Sequence, residues 1–232
     1  MGKRIAVALL LTSALLTGVA PSAAGWSNGR AGPDSFGTHD WILDRAARAV
    51  ASDLPWLRLR VALRATDDPD TRDGIDHASG SWWHVWDEWG STYGGAPEAA
   101  KVWFARAARR HEAGRDRAAS RAVGILAHIV GDVANPMHTD QTDTEERIHS
   151  SYEVAVDSRS EREDNVYSFS FNGRDPARPY RKTRSVARTA HRYYGELVRN
   201  YDRYGYNAAV HRITQMQLQR AANALADLLA RL

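Results

Sequence analysis

Apolar positions recur at helical spacing along most of this chain, and sustained two-residue alternation is almost absent. A first amphipathic run starts near Thr38, a residue able to cap a helix, and carries Trp41, Ile42, Ala46 and Val50 on one face. Pro55 is placed to open a second helix bearing Leu57, Val61 and Leu63, which ends before the acidic stretch Asp67, Asp68, Pro69, Asp70. Pro97 opens a third, with Ala100, Val102, Trp103, Phe104 and Ala107 apolar and Gly114 near its end. The run over residues 118–134 is apolar on nearly all sides, which predicts a buried central helix stopped by Pro136. A polar loop over residues 139–147 then leads to a short helix headed by His149 and Glu153.

Residues 183–204 and 208–232 predict two further helices, the last with Ile213, Met216, Leu218, Ala221, Leu225 and Leu228 on one face. Two stretches escape this pattern. Residues 66–95 show no period, and so long an irregular segment in a compact domain is usually functional. Residues 166–171 alternate before Asn172 and Gly173, which fits a small hairpin or an extended loop equally. With no internal repeat and no linker, the prediction is all-α: one compact domain of about seven helices spanning residues 26–232.

Residues 1–25 stand apart. Lys3 and Arg4 precede an apolar run, and Pro21, Ser22, Ala23, Ala24 and Gly25 supply the small residues of a cleavage site. The expectation is a secretory signal peptide, hence a secreted protein with no transmembrane segment after its removal. Cleavage after Gly25 would leave Trp26 with a free α-amino group. Two of the 31 basic residues and none of the 28 acidic ones lie in that leader, so the mature net charge is +1. Only three basic residues are Lys, and near-neutral charge gives no footing for a stable nucleic-acid partner. Cys is absent, which excludes thiolate metal sites and thiol nucleophiles. Any metal here must be held by nitrogen and oxygen.

The chemistry concentrates in residues 126–138. His128 and Asp132 are four apart and share one helix face, buried among Ile125, Ile129 and Val130. An unpaired imidazole and carboxylate there would be costly. His138 follows the helix-stopping proline by two residues, and a metal would satisfy all three groups. The further candidates are Trp26 through its amino terminus, His39 in the first turn of its helix, an Asp of the 67–70 cluster, His84, and the i,i+4 pair His149 and Glu153. His111, His191 and His211 have no partner at such an offset and read as packing or surface residues.

In this order the residues resemble the zinc-dependent phospholipase C family, whose relatives include fungal zinc nucleases specific for single strands. The shared pattern is an N-terminal Trp, an early His, a loop Asp then His, a His-x-x-x-Asp with a third His six residues on, and a closing His-x-x-x-Glu or His-x-x-x-Asp. The resemblance implies a trinuclear zinc site in a cleft. Asp70, His84, His128 and Asp132 would hold one ion, His138, His149 and Glu153 a second, and Trp26, His39 and Asp132 a third. Asp70 would orient the attacking water or take its proton, with Asp67 the alternative loop ligand. The implied activity is hydrolysis of a phospholipid with transient contact at the membrane surface, since no additional lipid-binding domain is expected after the last helix. The alternatives are a single-strand nuclease on the same metals and a non-catalytic metal-binding module. Glu153 as closing acid and the 13 positions from Trp26 to His39 resemble the lipases more than the nucleases. Val85, Trp86, Asp87 and Glu88 depart from the family's aromatic-Asp-Pro after the loop His, and Trp82, Trp83, Trp86 and Trp89 form either site-wall packing or a lipid-facing or base-stacking rim.

Overall fold

The computed structural model describes residue 26 and residues 36–70, 83–86, 94–160 and 166–232. Its organising element is the central helix. Named in chain order, the helices are α1 (Thr38–Ala49), α2 (Leu59–Arg64), α3 (Ala96–Glu112), α4 (Asp116–Asp132), α5 (Asp143–Ser160), α6 (Pro179–His191), α7 (Tyr194–Tyr204) and α8 (Ala208–Leu229). From Ala122 to Asp132 every residue of α4 is buried, because α1, α2, α3 and α8 all pack against it. No strand occurs among the described residues. No described helix is long and apolar enough to cross a membrane.

Two glycines seven residues apart set how closely the neighbours of α4 approach. That spacing is about two turns, so both lie on one face. A Cβ on Gly124 would sit 2.1 Å from the Ala62 carbonyl oxygen and 2.8 Å from the Ala65 Cβ, so α2 rests directly on the α4 backbone. A Cβ on Gly131 would sit 2.5 Å from His39 Nδ1, so α1 brings its histidine against the last turn of α4. At the other end, Gly114 adopts φ +69° and donates its N–H to the His111 carbonyl, ending α3 and reversing the chain into α4.

Where elements differ from the sequence reading, polar contacts between distant residues account for most of the differences. Gly37, not Thr38, is the N-cap of α1: Asp40 reaches back to the Gly37 N–H, and the Thr38 backbone and hydroxyl are bound by Asp157 and Ser160 of α5. The helix expected from Pro55 begins only at Leu59, because the Arg58 N–H is taken by the Ser120 hydroxyl of α4. The expected polar loop over residues 139–147 is already helical from Asp143, and the short helix around His149 is the 18-residue α5. Its surface is largely polar, which hid its length from a reading based on apolar period. Residues 183–204, read as one helix, are two. His191 turns its Nδ1–H to the Thr139 carbonyl, and the chain bends at Arg192 and Tyr193 so that α7 packs on α5.

Residues 166–178 take the extended form rather than the hairpin. Their partner is a helix face. Gln215, Gln219, Asn223 and Asp227 recur every four residues along α8, and their side chains accept the N–H groups of Ser168, Ser170, Asn172 and Asp175 in turn. Gln215 and Asn223 return a bond to the Ser168 and Ser170 carbonyls. The stripe does for this segment what a second strand would do. Lys182 closes the ladder at 2.7 Å from both Asp175 and Asp227.

Gly124→Ala tests the close packing of α2 on α4. The added methyl meets backbone, which cannot swing away, so a loss of about 1–3 kcal/mol or more is expected in chemical denaturation; an unchanged midpoint would contradict the packing described.

Candidate metal centre

Asp132 ends α4 fully buried, and its two carboxylate oxygens face different partners. Oδ2 lies 2.8 Å from His84 Nδ1 and 3.0 Å from His128 Nε2, while Oδ1 lies 3.3 Å from His39 Nε2. His128 Nε2 and His84 Nδ1 are themselves 3.1 Å apart. Asp70 Oδ1 adds a fourth donor, 3.5 Å from His128 and 3.8 Å from His84. Asp70 is the exposed member of this group. Asp67 does not join a donor group among the described residues, so of the two loop acids the geometry gathers Asp70.

The proline after α4 separates a second cluster. Asn135 caps the 3-10 turn Pro136–His138, and that turn carries His138 to α5 rather than back to His128. There His138 Nε2 and His149 Nε2 approach to 3.2 Å, with Glu153 Oε1 3.2 Å from the first and 2.7 Å from the second. His84 and His138 are tied to each other through the backbone: His138 Nδ1–H donates to the His84 carbonyl at 3.0 Å, and the Trp86 N–H donates to the His138 carbonyl at 3.0 Å. Gly94, at φ +106°, lets the chain pass within 2.5–2.7 Å of where a Cβ would strike Val85 and Trp86. The short segment at His84 is thus held from both sides.

These arrangements suit metal ions. A tetrahedral zinc with bonds of about 2.0–2.1 Å sets its ligand atoms about 3.3 Å apart, and the donor atoms here converge at that separation. The imidazole tautomers agree. His128 donates its Nδ1–H to the Thr66 carbonyl at 2.7 Å and His138 to the His84 carbonyl, which leaves each Nε2 with a lone pair aimed inward. His39 makes the plainest case: both its ring nitrogens and Asp132 Oδ1 are buried without a hydrogen-bond partner. Groups so placed need a ligand. Three sets of donors could hold a metal among the described residues: His39, His128 and Asp132; Asp70, His84 and His128; and His138, His149 and Glu153.

Electrostatics show how tightly these groups are coupled. Burial alone would raise the Asp132 carboxyl, but the charges of His128 and His138 hold it well below its ordinary value. Burial depresses His39, helped by the charge of His128 stacked 4.1 Å away. Burial also opposes charge on His128, yet Asp132 and Asp70 outweigh it and raise the imidazole to about 9. At His149 the Glu153 charge and the Glu145 hydrogen bond overcome burial and raise it to about 10.

Glu145 is the residue the sequence reading missed. Its carboxylate binds His149 Nδ1, orienting the ring whose Nε2 faces Glu153. The signal was present in the spacing Glu145, His149, Glu153, four and four apart, but the assumed loop over residues 139–147 concealed it. Asn135, donating to Glu153 Oε1 at 3.2 Å, is a second such support.

The remaining candidates are placed as follows. Trp26 is fully buried in the core with its indole beside the Tyr152 hydroxyl. Trp86 is buried under the Arg184 guanidinium and Trp83 is half-buried, both packed against the core. Trp82, Trp89 and residues 1–25 lie outside the described residues. His111 stacks on Trp56 and pairs with Asp116, and His211 stacks on Tyr167, in the packing roles expected of them.

No protein-family model matches the sequence, and no curated protein matches it. Solved structures do match the fold. The chain is similar to the alpha-toxin of Clostridium absonum, at 17% identity and a TM-score of 0.67, and to an alpha-toxin of Clostridium perfringens from an avian strain, at 16% and 0.58. The fold is zinc phospholipase C-like. Each match covers 88% of this chain and 64% of the toxin, so the chain spans less than two thirds of the length of either.

The converging donors predict that a chelator lowers the melting temperature and that added zinc restores it. Gly131→Ala, whose methyl would displace His39, is expected to weaken that zinc response. A melting curve indifferent to chelator and zinc would contradict a metal centre here.

Proposed function

We propose that this chain is an exported, zinc-dependent phosphodiester hydrolase, a phospholipase C acting on glycerophospholipids. The observation that carries the reading is Asp132, buried with one oxygen toward His84 and His128 and the other toward His39. Such a carboxylate is suited to bridge two ions. On this assignment Asp70, His84, His128 and Asp132 hold one zinc, and His138, His149 and Glu153 a second. His39, Asp132 and the amino and carbonyl groups of Trp26 hold a third, once residues 1–25 are removed as a signal peptide.

When bound, zinc supplies Lewis acidity at a phosphoryl oxygen and lowers the pKa of water to near neutrality. The protein's own part is positioning. The Thr66 and His84 carbonyls and the Glu145 carboxylate fix His128, His138 and His149, so the donors are set before substrate arrives. Asp70 is exposed where the other members of its group are buried, which places a carboxylate at the solvent edge to orient the attacking water or accept its proton. The lipid reading draws on Glu153 as closing acid, on the lead-in from Trp26 to His39, and on the likeness to the two toxin folds. Contact with a membrane surface is then transient and made by loops.

Assay of the zinc-loaded protein beginning at Trp26, on phosphatidylcholine and on single-stranded DNA, decides the substrate. Release of phosphorylcholine without nucleolysis is expected, and Asp70→Asn should slow it by about 10²–10⁴-fold. Cleavage of DNA alone would overturn the lipase reading. Leaving residues before Trp26 in place should remove one zinc and depress activity; equal zinc content would contradict the ligand role of the amino group.

A further inference from the structure

On the side of α4 away from its buried C-terminal turn, a cavity of about 870 Å³ lies between α2 and the start of α4. That volume falls within the range of about 300–1,000 Å³ that holds small-molecule ligands. Its walls carry Arg58, Arg60, Arg64, Arg115, Arg117 and Arg121, opposed by Asp68 and Asp116. Among the described lining residues six arginines stand with two aspartates.

Both acids are already engaged. Asp68 lies 2.6 Å from Arg121 Nε, and Asp116 lies 2.9 Å from His111 Nδ1. The crowding is felt nearby: burial and the charges of Arg106, Arg121, Arg115 and Arg109 push the Arg110 guanidinium below its ordinary value. The first turn of α4 also lines the cavity, and its leading N–H groups have no acceptor within the helix. Such a helix start favours anions, and guanidinium groups match phosphate oxygens in pairs.

We propose that this cavity is a second anion site, which takes a ligand bearing clustered phosphate groups and is separate from the donors around Asp132. The two sites share one short turn. Asp68 faces the cavity through Arg121, and two residues on, Asp70 faces His84 and His128. The phosphate can be free or borne on a lipid surface, and the chemistry is the same.

The test uses the zinc-loaded protein at physiological salt and reads binding, so it does not depend on what the metal centre hydrolyses. Soluble inositol trisphosphate is titrated by calorimetry, and sedimentation is followed with phosphatidylcholine vesicles with and without phosphatidic acid. The triple variant Arg60→Gln, Arg64→Gln, Arg117→Gln is compared with a distant triple, Arg181→Gln, Arg199→Gln, Arg203→Gln. Binding to either probe, weakened about tenfold or more by the first triple and less than about twofold by the second, is expected. Binding to the soluble probe marks a free ligand, and binding to doped vesicles alone marks a lipid surface. Circular dichroism and zinc content check that each variant is folded, and the single changes Arg60→Gln and Arg117→Gln are read in the same way should the triple lose helicity. No binding to either probe, equal loss in both triples, or retention in the cavity variant would overturn the proposal.

Discussion

A carboxylate with no exposure to solvent, surrounded by imidazoles, is the constraint on which this structure turns. Burying Asp132 unpaired would cost several kcal/mol, and its position at the end of an all-round apolar helix leaves no route to water. The surrounding architecture answers that cost. α1 brings His39 against Gly131, the segment at His84 is pinned between the Pro136–His138 turn and Gly94, and α4 itself supplies His128 one turn back. Each contact that stabilises Asp132 also delivers a donor atom to within about 3 Å of it. Fold and donor geometry are therefore one design problem, and a metal bound there would add its binding free energy to folding.

Pro136 has a consequence beyond stopping a helix. It lets two histidines ten residues apart serve different donor groups, His128 on α4 and His138 turned toward α5. The cross-links between those groups run through backbone: the His84 carbonyl and the Trp86 N–H bind the two atoms of His138 that face away from Glu153. Displacement of one group is thereby transmitted to the other.

The site was legible in the sequence to the extent that it used helical offsets. His128 with Asp132 and His149 with Glu153 were readable because i,i+4 spacing survives any tertiary arrangement, and the apolar character of residues 118–134 predicted burial, which is complete from Ala122 to Ala134. Asp70 could be separated from Asp67 only by geometry, since both sit in one acidic stretch. Glu145 was hidden by a wrong boundary, as α5 is too polar for an apolar period to reveal its first turn. The extended run at residues 166–178 was undecidable locally, because its partner is a stripe of Gln215, Gln219, Asn223 and Asp227 some fifty residues away. Long-range polar pairing set the start of α2, the break between α6 and α7 and the extended run at residues 166–178, whereas α5 was hidden by its own polar surface.

Whether Asp132 joins two ions is the central claim, and metal counting tests it most directly. Protein with Trp26 as its first residue, dialysed and analysed by inductively coupled plasma mass spectrometry, is predicted to hold three zinc ions per chain. Asp132→Ala is predicted to retain one, on His138, His149 and Glu153. Fewer than two zinc ions in the unaltered protein, or two or more retained without Asp132, would contradict the account.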